Sequence, residues 1–593
     1  MNKRIRRLLA ALTALLIPIG ALWLIGTGPA RADLFNPRQA YLRAATGGLF
    51  LHWGERTAPA HNNCAAWEND VNKGGWSADT WVKAAQQLHV QYIVLATFHS
   101  RLGYARPWPS AIPGTCSTKR DFVAELATAA AKVNVGNGQI MHVILYMTDD
   151  PGHHNEGGTE WMNSAAFSKY AGHSVDLDAR PGFGEFSYDN FIEVMNRYPK
   201  SKFPALSGFW IDNENQYWIQ HGLYAKIHSM RPDFTLSNNN TDTPTFDMIS
   251  NEQKTGMTPA YDMPQKIFTA RPRLVEADYK LPSTGPWWYG GGDPTVDRKL
   301  TIDRFVANAG STILSLEDET ARVNGTFPPA QASFNSFADG YFNKIWESLG
   351  NTYGGGYDQG GLKPGRWTNG AYGVTTVSKS SPETQYVHVL DKPSGSSFAL
   401  RDNGYKVTGV TDLRTGNAVT FSQGGGSLTI SGYTAWDTYD TVFKVATSGQ
   451  VGVYNQDSSN VTVTASTSAS GHAGPAAGDG NYQTYWDNGS NLPASLTFDI
   501  GKTGRVQYLG INQREDTVVS GGTSARIKGY TVAFSADGKT WTTVKTGTLA
   551  NARGVQFIDV PAGNTRFVRL TITSLQGGSR IRVDEAWLGS TYA

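Results

Sequence analysis

Cysteine is scarce here: Cys64 and Cys116 are the only two in 593 residues, which excludes a disulfide-dense scaffold. Charge of one sign is lacking too. Lys+Arg 52 against Asp+Glu 50 leaves +2, spread along the chain, and this argues against a nucleic-acid or polyanion partner. There is no Gly-rich phosphate loop, no serine nucleophile elbow and no His/Cys set at zinc spacing. His153-His154 is an adjacent pair without a spaced third ligand, the pattern of a solvated loop. Beyond Ile25 no apolar run is long enough to span a membrane.

What is present points elsewhere. A chain of 593 residues exceeds the roughly 250–300 at which one core stops growing, so several domains are expected. Hydrophobic content of 40% supports packed cores. High glycine (65) with 17 Trp, 26 Tyr and 25 Phe suits turn-rich β structure and sugar-stacking surfaces, although most aromatics fill cores. Lys3, Arg4, Arg6 and Arg7 precede an apolar run, Leu8–Ile25, and Ala30-Arg31-Ala32 fits a cleavage site. The pattern reads as a secretory signal, residues 1–32, with an uncleaved anchor helix as the other reading. A secreted, extracellular chain free of the membrane after cleavage is expected. Export makes Cys64 and Cys116 a candidate disulfide, two buried thiols being the alternative. No pattern specifies an oligomeric state.

From Phe35 to about Leu349 short apolar runs alternate with amphipathic helical stretches. The runs are Gly48–Trp53, Tyr92–Thr97, Met141–Met147, Gly208–Asp212, Phe234–Asn238, Asp247–Ser250, Leu274–Glu276 and Ser311–Leu316. Repeated β-then-α predicts a (β/α)8-like barrel over 33–355, with a doubly wound open sheet as the alternative. Beyond it the helical period vanishes. A small β-sandwich is expected over 356–446, a linker over 447–457 and a second all-β unit over 458–593.

Reactive groups of a barrel sit at the C-terminal ends of its strands. That rule selects His52-Trp53, His99, Asp212, Glu252, Glu276, Trp287-Trp288 and, after the last run, Glu317-Asp318-Glu319. Carboxylates facing aromatics at a barrel mouth are the constellation of glycoside hydrolysis. Asp212 is the sharpest candidate because it ends an apolar strand; a helix-capping aspartate is the other reading. For Glu252 and Glu276 a structural salt bridge is an equal alternative.

These residues resemble a known family. Gly48-Leu49-Phe50-Leu51-His52-Trp53-Gly54 is similar to the first-strand motif of α-L-fucosidases of glycoside hydrolase family 29. Trp67-Glu68, Tyr92–His99 with Trp108-Pro109-Ser110, Arg120–Leu126, Gly208–Asp212, and Asn308–Leu316 with Asn324–Pro328 resemble later family segments. The resemblance covers about residues 40–446. It implies retaining exo-hydrolysis of a terminal α-L-fucosyl residue, with Asp212 as nucleophile and no catalytic cofactor. It implies Glu252, or else Glu276, as acid/base. It also implies His52, Trp53, Trp67, Glu68, His99, Trp287 and Trp288 as sugar-binding residues, and a fucosylated glycan as partner. The sequence departs from the family in three places. His99 is followed by Ser100-Arg101 where a second histidine is usual. Asn213 replaces a glycine after the nucleophile. Leu316-Glu317-Asp318-Glu319 replaces Leu-Asn-x-Gly-Pro. These changes put the exact sugar, and activity itself, in question; a silent glycan-binding scaffold is the rival reading.

The last unit resembles the discoidin-like domains of coagulation factors and carbohydrate-binding module family 32. Gly478–Trp486, Leu496–Gly501, Asn512-Gln513-Arg514, Ser535–Trp541 and Arg566–Leu570 carry this resemblance. It implies a β-sandwich jelly roll with glycan contacts including Arg514. A structural Ca²⁺ near Asp479, Thr484 and Glu585 is also implied, and oxygen ligands suit that ion. Trp486 and Trp541 read as core.

Overall fold

A computed structural model describes residues 37–136, 138–149, 162–239, 245–252, 274–355, 365–450, 461–479, 484–513, 526–551, 556–578 and 580–592. The signal segment, His153-His154 and Arg514 lie outside the described residues.

Eight parallel strands close into a barrel in sequence order. They are β1 (Gly47–His52), β2 (Tyr92–Phe98), β3 (His142–Thr148), β4 (Leu206–Asp212), β5 (Thr235–Asn239), β6 (Met248–Glu252), β7 (Val275–Lys280) and β8 (Leu314–Glu319). β8 pairs back onto β1, with Gly48 opposite Leu316 and Phe50 opposite Asp318, so the sheet is closed and not an open doubly wound one. The strands read as continuous apolar runs because both faces are covered: every residue of β2 is buried. Alternation divides each run. Phe50, Tyr92, Val94, Ile144, Tyr146, Trp210, Met248, Leu274, Leu314 and Leu316 fill the barrel. Leu49, Leu51, Ile93, Leu95, Phe209 and Ile211 pack outward under the helices.

The helices start where short polar side chains cap them. Ser77 accepts from Asp79 N ahead of Ala78–Gln87, Asp121 from Ala124 N ahead of Phe122–Ala130, and Asp297 from Leu300 N ahead of Arg298–Gly310. Cys64 opens the helix Cys64–Lys73 and is disulfide-bonded to Cys116, with Cα atoms 5.3 Å apart.

β8 departs from expectation. It runs Leu314–Glu319, so Glu317-Asp318-Glu319 is strand and not the following loop. Three consecutive buried acids argue against a strand by desolvation alone. They are tolerated because alternation separates them. Asp318 turns inward to His52, while Glu317 meets Tyr279 and Glu319 meets Asn335.

The β-sandwich starts earlier than expected: Thr352–Gly354 already pairs with Tyr372–Ser378 of its larger sheet. It also ends later. The strand Thr441–Gln450 pairs Ser448 with Lys406 and Gln450 with Tyr405, so 447–450 is strand and not linker. A three-stranded sheet, Phe398–Arg401, Ser427–Ser431 and Thr420–Gly424, covers a core of Val387, Val389, Leu400, Leu428, Ile430 and Phe443.

The C-terminal unit is an antiparallel seven-stranded sheet built on Ala494–Gln513 and Gln556–Ile572. Register shifts at Asp499/Gly504 and Val506/Tyr508 interrupt this long pair, and such irregularities bend strands. Its own core holds Trp486, Leu496, Phe498, Val532, Val568 and Leu570. Trp486 is core as expected. Trp541 is not; it is half-buried beneath the Arg569 guanidinium, 3.8 Å from the ring centre. This unit contacts the sandwich through Arg401, which ion-pairs with Asp559 and lies over Tyr508 (4.7 Å) and Phe557 (4.3 Å).

Candidate active site

A cavity of about 170 Å³ opens at the C-terminal ends of the barrel strands. It brings together six of the expected residues: Asp212, Glu252, His52, His99, Trp287 and Trp288.

Asp212 ends β4, and both of its oxygens are engaged. Tyr146 donates its hydroxyl to Oδ2 at 2.7 Å, and Asn239 Nδ2 donates to Oδ1 at 3.1 Å. The chain then turns through Asn213 at φ 64, a left-handed conformation that asparagine adopts more readily than most residues. The glycine-to-asparagine departure is thereby accommodated. The capping alternative for Asp212 fails, since Asn215 caps the next helix by accepting from Tyr217 N at 2.9 Å.

Glu252 ends β6 and lines the cavity. Its register partner on β7 is Asp278, which also lines it. Sequence reasoning missed Asp278. The run was expected to stop at Glu276, whereas β7 continues to Lys280 and alternation carries position 278 to the mouth. Asp278 is buried, and burial, then Glu252 and Glu276, push its carboxyl well above the usual range.

Glu276 sits elsewhere. It lies inside the barrel on the same face as Asp278, fully buried and outside the cavity lining. Tyr92, Trp210 Nε1 (2.9 Å) and the Ser250 hydroxyl (2.7 Å) all donate to it. Burial raises its carboxyl against the pull of these three donors. Its place is to fix Trp210, which lines the cavity.

The walls are imidazole and indole. His52 is held through Nδ1 by Asp318 Oδ1 at 2.6 Å, leaving Nε2 as the nitrogen open to a ligand. Burial pushes Asp318 up to about 6, against the opposing pull of His52. The His52 ring centre lies 5.6 Å from that of Trp287 and 5.5 Å from that of His99. Trp288 bridges to His52 through its backbone. His99 accepts from Arg101 N at 3.1 Å, which brings Arg101 to the cavity wall. Tyr146 and Asn239 were also missed, for each is a single residue at a strand end with no motif around it.

Three expected sugar contacts are not brought into the cavity. Trp53 follows inward-facing His52, so alternation sends it outward into the helix layer. There it is fully buried among Trp67, Trp76, Trp81 and Phe122, with Nε1 donating to Arg322 O at 3.1 Å. Trp67 belongs to the same cluster. Glu68 accepts from Lys119 N (3.0 Å) and Arg120 N (2.7 Å), pinning the segment that leads into Phe122–Ala130. Trp53→Ala is therefore expected to cost about 3–5 kcal/mol of stability in denaturant unfolding. Its effect on substrate KM, measured below the melting temperature, is expected to be small; a large KM rise with unchanged stability would put Trp53 back in the site.

Several buried acids carry raised proton affinities through burial: Glu55 to about 8, Asp303 and Glu317 to about 7. A carboxyl whose folded pKa exceeds its unfolded value binds more protons when folded. Its stabilising share is lost as pH climbs through the folded value. His89, His142 and His228 are shifted down by burial and act below about pH 6.5, in the opposite sense. Between pH 6.5 and 8 the acids govern, so Tm is expected to fall. A flat or rising Tm in calorimetry contradicts this.

In the C-terminal unit Thr484 Oγ1 donates to Asp479 Oδ2 at 2.8 Å, and Glu585 is a fully buried carboxyl on the strand Arg582–Gly589. These donors are all oxygens, the chemistry that fits a hard cation. Among the described residues the only tight group of His, Cys, Asp and Glu is Glu55 with Cys64 and Cys116, whose sulfurs are tied up in the disulfide.

The fold and the mouth define a parallel (β/α)8 barrel that gathers carboxyls between imidazole and indole walls, followed by two antiparallel β units. Solved structures share its fold. An α-L-fucosidase GH29 from Bacteroides thetaiotaomicron aligns at 17% identity and TM-score 0.51 over 70% of this chain and 95% of its own. A second structure from that organism, a GH29 covalent intermediate trapped with 2-fluoro-fucosyl fluoride, aligns at 18% identity and TM-score 0.50, over 70% of this chain and 97% of its own. The Thermotoga maritima α-fucosidase in complex with fucose aligns at 14% and 0.51, over 71% and 99%. Residues 462–584 match the F5/8 type C domain model, the discoidin-like domain that the sequence resembles.

Proposed function

We propose that this chain is an exported α-L-fucosidase that removes terminal α-L-fucose with retention of configuration. The observation that carries the reading is Asp212, held at both oxygens by Tyr146 and Asn239 in one cavity with Glu252. The Asp212 carboxylate attacks the anomeric carbon as the glycosidic C–O bond breaks, and Glu252 gives its proton to the leaving oxygen. Water, losing a proton to Glu252, then attacks the same carbon and releases Asp212. Such double displacement needs carboxyls about 5–5.5 Å apart. His52 Nε2 and His99 hold sugar hydroxyls; Trp287 and Trp288 cover the apolar face of the ring and exclude water.

The Cys64–Cys116 bond supports the export reading, since disulfides persist in oxidising compartments. The F5/8 type C domain would hold the enzyme at a glycan surface and raise local substrate concentration. Asp479, Thr484 and Glu585 would hold a structural Ca²⁺, which supplies rigidity to that end of the domain and no part of the chemistry. One observation favours a second reading, a sugar bearing an acidic group: Arg101 places a cation on the cavity wall. Hydrolysis of 4-nitrophenyl α-L-fucoside beside a panel of other nitrophenyl glycosides separates the two. Proton NMR of the first-formed sugar reports the α-anomer if configuration is retained.

A further inference from the structure

Asp278 is a cavity residue that the double displacement leaves unused. It stands directly opposite Glu252 in the β6–β7 register and on the same inward face as Glu276, and it lines the cavity with Asp212. Only 2% of it is exposed. Its Oδ1 is buried without a hydrogen-bond partner among the described residues. That separates it from Asp212 in the same cavity and from Glu276 on the same strand face. Both oxygens of Asp212 accept hydrogen bonds, and so do both oxygens of Glu276. A buried polar atom left without a partner is costly, and a bound ligand is one way to complete it.

The charge arrangement decides its protonation. The groups facing it are the carboxyls of Glu252 on β6, Glu276 on its own strand and Asp212 on β4. Of the cations on these elements, Lys280 is tied to Gly285 O, and Arg101 lines the same cavity. Like charges crowded into one cavity cannot all ionise. Of the two, Asp278 is the one suited to hold a proton, because its Oδ1 meets no donor whereas two donors meet Asp212. Burial acts in the same direction.

We infer that Asp278 is a substrate-binding residue, a neutral carboxylic acid that donates a hydrogen bond to one hydroxyl of the bound sugar and accepts one in return. A protonated carboxyl and a sugar hydroxyl match because each both donates and accepts; an ionised carboxylate would only accept. The sugar as its partner rests on the fucosidase reading, whereas the proton on Asp278 does not.

The test uses full-length protein, two variants and L-fucose as probe. Asp278→Asn keeps a neutral donor and acceptor, so its Kd for L-fucose is expected within about threefold of wild type. Asp278→Ala is expected to weaken binding about tenfold or more, as for one lost buried hydrogen bond. Melting curves show whether the alanine variant is folded. If it is not, Asp278→Leu replaces it, and the infrared reading on the asparagine variant stands regardless. The wild-type minus Asp278→Asn difference spectrum at pH 7 is expected to show one protonated-carboxyl C=O band beyond those of Glu55, Asp303 and Glu317, and L-fucose is expected to shift it. No difference between wild type and Asp278→Asn in that band overturns the inference. So does a folded alanine or leucine variant that binds L-fucose normally, and in that case the fucosidase reading survives. A wild type that shows the band but neither binds L-fucose nor hydrolyses α-L-fucosides overturns the fucosidase reading, and the sugar as partner of Asp278 with it.

Discussion

Asp212→Ala is expected to lower kcat on 4-nitrophenyl α-L-fucoside by about 10³-fold or more, with the fold intact. Losing the proposed nucleophile would remove a bond formed in the transition state, so the loss is expected in kcat and kcat/KM together and not in KM alone. Tyr146 and Asn239 would remain in place around the vacated carboxylate. The smaller side chain leaves room for an added anion. Azide is expected to restore turnover by attacking the anomeric carbon from the nucleophile's side, giving a fucosyl azide of inverted configuration. Full activity in Asp212→Ala would move the nucleophile to another carboxyl and end the account of this site.

Glu252→Ala is the second large effect. General acid–base catalysis contributes about 10²–10⁴-fold, and that loss is expected on natural glycans, whose leaving oxygens need a proton. Nitrophenolate leaves without one, so the loss on 4-nitrophenyl α-L-fucoside is expected to be smaller and confined to the second step. Azide should rescue that step with retained configuration, the opposite stereochemistry to the Asp212 case. Glu276→Gln is the informative contrast. Glu276 accepts from Tyr92, Trp210 and Ser250 inside the barrel. Its loss is expected to lower Tm and loosen Trp210 without any azide rescue. Rescue at Glu276 and none at Glu252 would exchange their assignments.

The contrast between Glu252 and Glu276 shows which parts of the site were legible in the chain. Parallel barrel strands are buried on both faces, so their apolar runs stand out; β1, β2 and β4 lie where their runs predicted, and with them His52, His99 and Asp212. Strand ends were harder to place. β7 carries acids at alternate positions, and stopping it at Glu276 hid Asp278, two residues further on the same face. β8 was displaced for a related reason. Glu317-Asp318-Glu319 resembles a solvated turn by composition, and only tertiary partners, His52, Tyr279 and Asn335, let it be strand. Trp53 was misplaced by adjacency to His52, although in a strand neighbouring residues face opposite ways. Tyr146 and Asn239 carried no local signal, because what singles them out is the Asp212 carboxylate that each meets from an adjacent strand.

The retaining displacement on Asp212 is the central claim, and one measurement bears on it directly. Full-length protein is incubated with 2-fluoro-fucosyl fluoride, digested and analysed by mass spectrometry. One fluorofucosyl adduct is expected on the peptide containing Gly208-Phe209-Trp210-Ile211-Asp212, localised by fragmentation to Asp212. An adduct on any other carboxyl, or rapid hydrolysis of α-L-fucosides with no adduct formed, contradicts it.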